Sequence, residues 1–88
     1  MIKIRQIQFF LSVIEHKSFN KAAEKLNVSQ PGITKAIQEL EQIMSVKLIK
    51  RLPKGVEPTE FGKVLEKYSN LILTDISNVK KEINSVIF

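Results

Sequence analysis

Residues 18–41 read SFNKAAEKLNVSQPGITKAIQELE. Two apolar rows at helical spacing share this stretch, divided by a tight turn. Ser18 is a natural cap for the first helix, and Phe19, Ala22, Ala23 and Leu26 form its buried face. Ala22 and Ala23 are small, so another helix can approach closely. Asn27 tolerates the left-handed conformation that ends helices, and Val28 lies in the turn. Ser29 caps the next helix, whose row is Ile33, Ile37, Leu40 and Met44. Two helices joined this way form a helix-turn-helix.

Pro31 and Gly32 stand side by side where this second helix begins. Proline lacks an N–H, and the first turn of a helix does not use it. Gly32 keeps the helix tip slim. The tip, with free amides and the positive end of the helix dipole, suits a phosphate or the floor of a groove. At about 100° per residue, Pro31, Thr34, Lys35 and Gln38 fall opposite Ile33, Ile37 and Leu40. No acid lies at the centre of that face, and Glu39 and Glu41 flank it. Gln can pair bidentately with adenine, Lys can reach guanine acceptors, and Thr can meet a thymine methyl. An amphipathic helix of any function also has a polar side, so the context has to decide.

Working outward, Ile4, Ile7, Leu11 and Ile14 predict an amphipathic helix ending near Lys17, widened by Phe9, Phe10 and Val13. Lys3 offers it no ordinary cap. On the other side, VKLIKR at 46–51 reads as a strand, PKG at 53–55 as a turn and VEP at 56–58 as a return strand ended by Pro58. Lys47, Lys50, Arg51 and Lys54 make this hairpin a basic wing able to reach phosphates. Lysines that merely block an exposed sheet edge are the plainer alternative.

Thr59 then caps a long last helix. Its row is Phe61, Leu65, Tyr68, Ile72, Ile76, Val79, Ile83 and Val86. A helix over 59–88 extends about 45 Å at 1.5 Å per residue, longer than the body it leaves. Much of that row therefore wants a partner helix.

The 88 residues suffice for one small domain. The net charge is +5, and residues 1–54 hold ten Lys/Arg against four Asp/Glu, while 55–88 hold four against five. The positive field thus belongs to the helix-turn-helix and wing, which suggests a polyanionic partner. There is no Cys, so disulfides and thiolate metal sites are excluded. His16 is the only histidine and suits a surface or structural role near a helix end. Without a second His, a Cys nucleophile or a glycine-rich phosphate loop, the chain reads as a non-enzyme with no metal and no cofactor. No run is long and apolar enough for a membrane, and MIKIRQIQFF has no signal-peptide cleavage site, so a cytoplasmic setting is expected.

Three functions fit these features. One is a sequence-specific dimeric module for double-stranded DNA. The second is a helical protein-interaction module whose basic face is incidental. The third is a nonspecific nucleoid-type DNA binder.

RQIQFFLSV at 5–13, SFNKAAEKLNVSQPGITKAIQELE at 18–41, VKLIKR at 46–51 and GVEPTEFG at 55–62 together resemble the N-terminal DNA-binding domain of LysR-type transcriptional regulators. The resemblance implies a mainly α winged helix-turn-helix over residues 1–58 and a linker helix over 59–88. It also implies homodimers through antiparallel linker helices, the row Leu65, Tyr68, Ile72, Ile76, Val79 and Ile83 forming the seam. By the same likeness Ser29, Gln30, Pro31, Thr34, Lys35 and Gln38 face DNA, and Arg51, with Lys50 and Lys54 beside it, meets the backbone from a wing over about Leu48–Pro58. Three positions depart from the family pattern. Ser45 stands where Gly is usual and is expected in a left-handed conformation, Ile49 replaces a common Phe, and Gly32 replaces Ala. Regulators of this type carry a C-terminal domain that binds a small-molecule effector. This chain is expected to be a fragment or truncation without it.

Overall fold

The computed structural model describes residues 1–87. The elements are α1 (Ile4–His16), α2 (Phe19–Leu26), α3 (Gln30–Met44), β1 (Ile49–Leu52), β2 (Gly55–Pro58) and α4 (Glu60–Ile87). The strands form a two-stranded antiparallel hairpin, with Ile49 opposite Pro58 and Leu52 opposite Gly55.

The helix-turn-helix forms as its caps dictate. Ser18 Oγ accepts the Lys21 N–H at 3.1 Å, and Asn27 closes α2 in the left-handed conformation at φ 58°. Ser29 Oγ accepts the Gly32 N–H at 3.1 Å at the start of α3. Ser45 ends α3 at φ 60°, the conformation expected of it. At α1, Lys3 has no acceptor side chain. The Gln6 Oε1 instead accepts the Lys3 N–H at 2.9 Å, half of a capping box.

The core joins α1, α2, α3 and the hairpin through Phe10, Val13, Phe19, Ala22, Ala23, Ile33, Ala36, Ile37, Leu40, Leu48 and Val56. The central seam of α1 is Phe9, Phe10 and Val13. Of the row Ile4, Ile7, Leu11 and Ile14, only Ile7 is buried, and Ile4 is exposed. Leu11 and Ile14 are half-buried and pack against the edge of this cluster.

Residues 46–48, expected to open the first strand, are not strand. Their backbone groups are claimed from elsewhere. Glu41 Oε2 accepts the Leu48 N–H at 2.8 Å, the Leu48 carbonyl accepts the Thr59 N–H at 3.0 Å, and Thr59 Oγ1 donates to the Lys47 carbonyl at 2.7 Å. A ladder cannot use groups already paired. The same Thr59 hydroxyl accepts the Gly62 N–H at 3.1 Å, which caps α4 as predicted.

The base of α4 packs on α1 and β2. Its inward face is Gly62 and Ser69, buried, with Leu65 and Leu73 half-buried. A side chain at Gly62 would collide with the Leu48 carbonyl oxygen, so helix and backbone meet directly there. Beyond that base the helix projects, and the molecule is 51 Å long but only 27 and 21 Å across.

Candidate nucleic-acid interface

The α3 tip is less open than the sequence suggests. Pro31 has no N–H, the Gly32 amide is taken by Ser29 Oγ, and the Ile33 amide bonds the Ser29 carbonyl at 3.2 Å. The amides of Ser29 and Gln30 remain without a protein partner among the described residues. The tip therefore offers a short pair of donors, adjacent to the positive end of the dipole.

The outward face of α3 is laid out as expected. Pro31, Lys35 and Gln38 are exposed, Thr34 and Gln30 are half-buried, and Ile33, Ala36, Ile37 and Leu40 are buried beneath. Gln30 Nε2 donates to Thr34 Oγ1 at 2.8 Å, an i, i+4 link that holds both polar groups on one side. Ser29 is exposed at the cap.

The wing stands beside that face. Its cations differ in what they touch. Lys50 lies opposite Glu57 in the ladder, and Lys50 Nζ meets the Glu57 carboxylate at 3.0 Å. Lys47 Nζ lies 3.8 Å from Glu41. Lys54, at the exposed turn, and Arg51 have no acidic partner among the described residues. Arg51 is opposite Val56, which is buried, so the pleat turns Arg51 toward the helices. Its guanidinium lies over the Phe19 ring, 4.7 Å from the centroid. A trough runs from Phe19 and Arg51 past Thr34 and Gln38 to Lys47, joining wing and helix into one surface.

Two members of this surface escaped the sequence reading. Glu41 reads as a flanking acid, yet it fastens the end of α3 to Leu48. Phe19 reads as core, yet its ring carries a surface cation. Only the i, i+7 backbone link and the hairpin register reveal them, and neither is periodic.

Among the described residues, no group of three or more His, Cys, Asp or Glu is placed to hold a metal. No helix is long and apolar enough to cross a membrane.

The profile of the bacterial regulatory helix-turn-helix proteins of the lysR family matches residues 4–63. The chain belongs to the LysR family. This LysR-family chain is 40% identical over 73 residues to the transcriptional regulator PcaQ of Agrobacterium fabrum, covering 83% of this chain and 24% of that protein. It is 31% identical over 86 residues to GbpR of Azospirillum brasilense, covering 98% of this chain and 25% of that protein. It thus spans about a quarter of the length of the curated relatives it matches. Its fold superposes on the CbnR DNA-binding domain in a DNA complex with a TM-score of 0.91 and 30% identity, covering 98% of this chain and 99% of that one. For the BenM DNA-binding domain bound to the catB site 1 DNA, the TM-score is 0.90 at 28% identity, covering 96% and 93%. The winged helix-turn-helix is the fold of these LysR-family domains.

Proposed function

We propose that this chain binds double-stranded DNA sequence-specifically, as the homodimeric DNA-binding part of a bacterial transcription regulator. One observation carries the reading: the polar face of α3, with no acid at its centre and Glu41 at its margin, is outward and contiguous with an unpaired wing cation, Arg51. Its likeness to the BenM and CbnR domains in their DNA complexes supports it.

In this reading residues 1–58 are the reading head and 59–88 the linker helix. Thr34, Lys35 and Gln38 face base edges, and Ser29, Gln30 and Pro31 meet the backbone at the groove's edge. Arg51 and Lys54 take phosphates, with Lys50 contributing after sharing its charge with Glu57. Two copies joined through Leu65, Tyr68, Ile72, Ile76, Val79 and Ile83 place two heads on half-sites about 34 Å, or a multiple of it, apart. A small-molecule effector would act through a region that the chain does not span, and the setting would be the bacterial cytoplasm.

Selection of bound duplexes from a random pool tests this directly. A recurrent, roughly two-fold sequence is expected. Gln38→Ala is expected to cost about 1–3 kcal/mol on that sequence and to blur one base position. Equal loss on all sequences would remove base reading and favour the nonspecific binder. No binding even at low salt would leave the protein-interaction module.

A further inference from the structure

We infer that Phe19 is a positioning residue for DNA binding: its ring is the platform that holds the Arg51 guanidinium at the seam between wing and helix-turn-helix. The inference rests on the DNA-binding reading above, and it concerns a residue that the sequence assigns to the core alone.

The hairpin register supplies the first reason. Arg51 shares its face with the buried Val56, so its side chain leaves the strand toward the helices. Lys50 leaves on the other face, where Glu57 meets it at 3.0 Å. The stem of Arg51 can therefore lie along the edge of the core while its head stays in water.

The second reason is what that head meets. Phe19 is the first residue of α2, just inside the Ser18 cap, and is itself 8% exposed. Its ring belongs to the buried core cluster, and one face of it lies under Arg51. The guanidinium lies 4.7 Å from its centroid, the closest of the three cation–ring contacts among the described residues. A ring face attracts a cation through its quadrupole without neutralising it, whereas a carboxylate partner cancels the charge. Lys47 and Lys50 have carboxylates nearby, and Arg51 has a ring. Arg51 is thus held in one place with its full charge and its outer N–H groups available.

The third reason is where it is held. Phe19 and Arg51 together border two adjoining hollows. One is shared with Thr34 and Gln38, the other with Asn20 and Gln30. A cation anchored between them has a fixed distance to the base-facing row. A phosphate bound to it sets how far the α3 tip enters the groove.

The test is a double-mutant cycle of Phe19→Leu and Arg51→Gln in the 88-residue chain. Binding to random-sequence duplex is read at two salt concentrations, with thermal melts setting a temperature at which every variant is folded. Arg51→Gln is expected to weaken binding to every sequence and to lower the salt slope by about one charge. Phe19→Leu is expected to weaken binding about three- to tenfold when Arg51 is present and to have little effect when it is Gln. Phe19→Tyr, which keeps the ring face, is expected to restore affinity. In the DNA-free chain, the Arg51 side-chain protons are expected to be shifted upfield by the ring current, and the shift should vanish in Phe19→Leu.

The outcomes separate the two readings. An Arg51→Gln variant with unchanged affinity and slope removes the wing–phosphate contact and the platform with it. A weakened Arg51→Gln together with purely additive Phe19→Leu overturns the platform alone. If Phe19→Leu does not fold, the parent spectrum decides, and absence of the upfield shift overturns the platform.

Discussion

Among the described residues, Lys17, Asn27 and Ser45 are the three non-glycine residues with positive φ, at 55°, 58° and 60°. Each follows the last residue of a helix, and each stops it in the left-handed conformation. Asn bears that conformation easily, while for Ser and Lys the crowding of Cβ costs about 1–2 kcal/mol. Ser45→Gly is therefore expected to stabilise the chain by about 0.5–1 kcal/mol, reduced from the full steric relief by glycine's greater freedom when unfolded. That corresponds to a rise of a few degrees in melting temperature, readable by circular dichroism. An unchanged or lower melting temperature would show that Ser45 carries no strain. The stops at Asn27 and Ser45 were legible from residue type and from the departure from the family pattern. Lys17 was legible only as a boundary, because the next residue is the Ser18 cap. Its second role depends on distant chain: the Lys17 carbonyl accepts the Val56 N–H at 3.2 Å and lies 2.7 Å from where a side chain on Gly55 would begin. Gly55, at φ 109°, thus lets the wing's return strand press against the corner between α1 and α2.

At the scale of elements, caps and apolar rows gave α2, α3 and α4 nearly to the residue, because a capped amphipathic helix is encoded locally. The hairpin was legible through its turn and its basic content, but its first strand begins at Ile49 rather than at Val46. The reason is tertiary: Glu41 and Thr59, seven and twelve residues away, take the backbone groups of Lys47 and Leu48. Nothing in the alternation of VKLIKR announces this. In α1 the four-residue row marks the side of the helix that meets the core but not its centre: Ile7 is buried and Leu11 and Ile14 pack against the core, while Phe9, Phe10 and Val13, which widen the row, lie within it. The candidate site shows the same division. The α3 face follows from periodicity, while the pairing of Lys50 with Glu57 and the seat of Arg51 follow from register. One contact between elements invites a direct probe. Gly62→Ala would drive a methyl into the Leu48 carbonyl, where backbone on both sides has little room to yield. A loss of about 1–3 kcal/mol in urea unfolding is expected. A neutral result would mean that the base of α4 can slide away from the wing.

At the scale of the whole molecule, the apolar row of α4 stands largely in the open. Ile76 is 46% exposed, Val79 56% and Ile83 53%. Phe61, Val64, Tyr68 and Leu71 extend the exposed surface nearer the base, where it continues into a hollow lined by Ile2, Met44 and Val46. The sequence foretold this from length alone, since a helix of that reach outruns the body. It did not foretell that Leu65 is shared between the inward face and the open row. Ile76→Asp should be harmless to a lone chain, because the position is half in water. In a paired seam it would bury an unpartnered charge. Sedimentation is expected to show monomers with an unchanged melting profile for the body, and weak binding to any two-fold site. A variant that still sediments as a pair would place the seam elsewhere. In the proposed dimer, a rod whose greasy side is covered by its twin also ties DNA occupancy to abundance. Below the pairing constant, the concentration of two-headed species grows as the square of the chain's own. Halving the protein would then cut the two-headed form about fourfold, so in the proposed reading site occupancy responds steeply to the chain's own concentration.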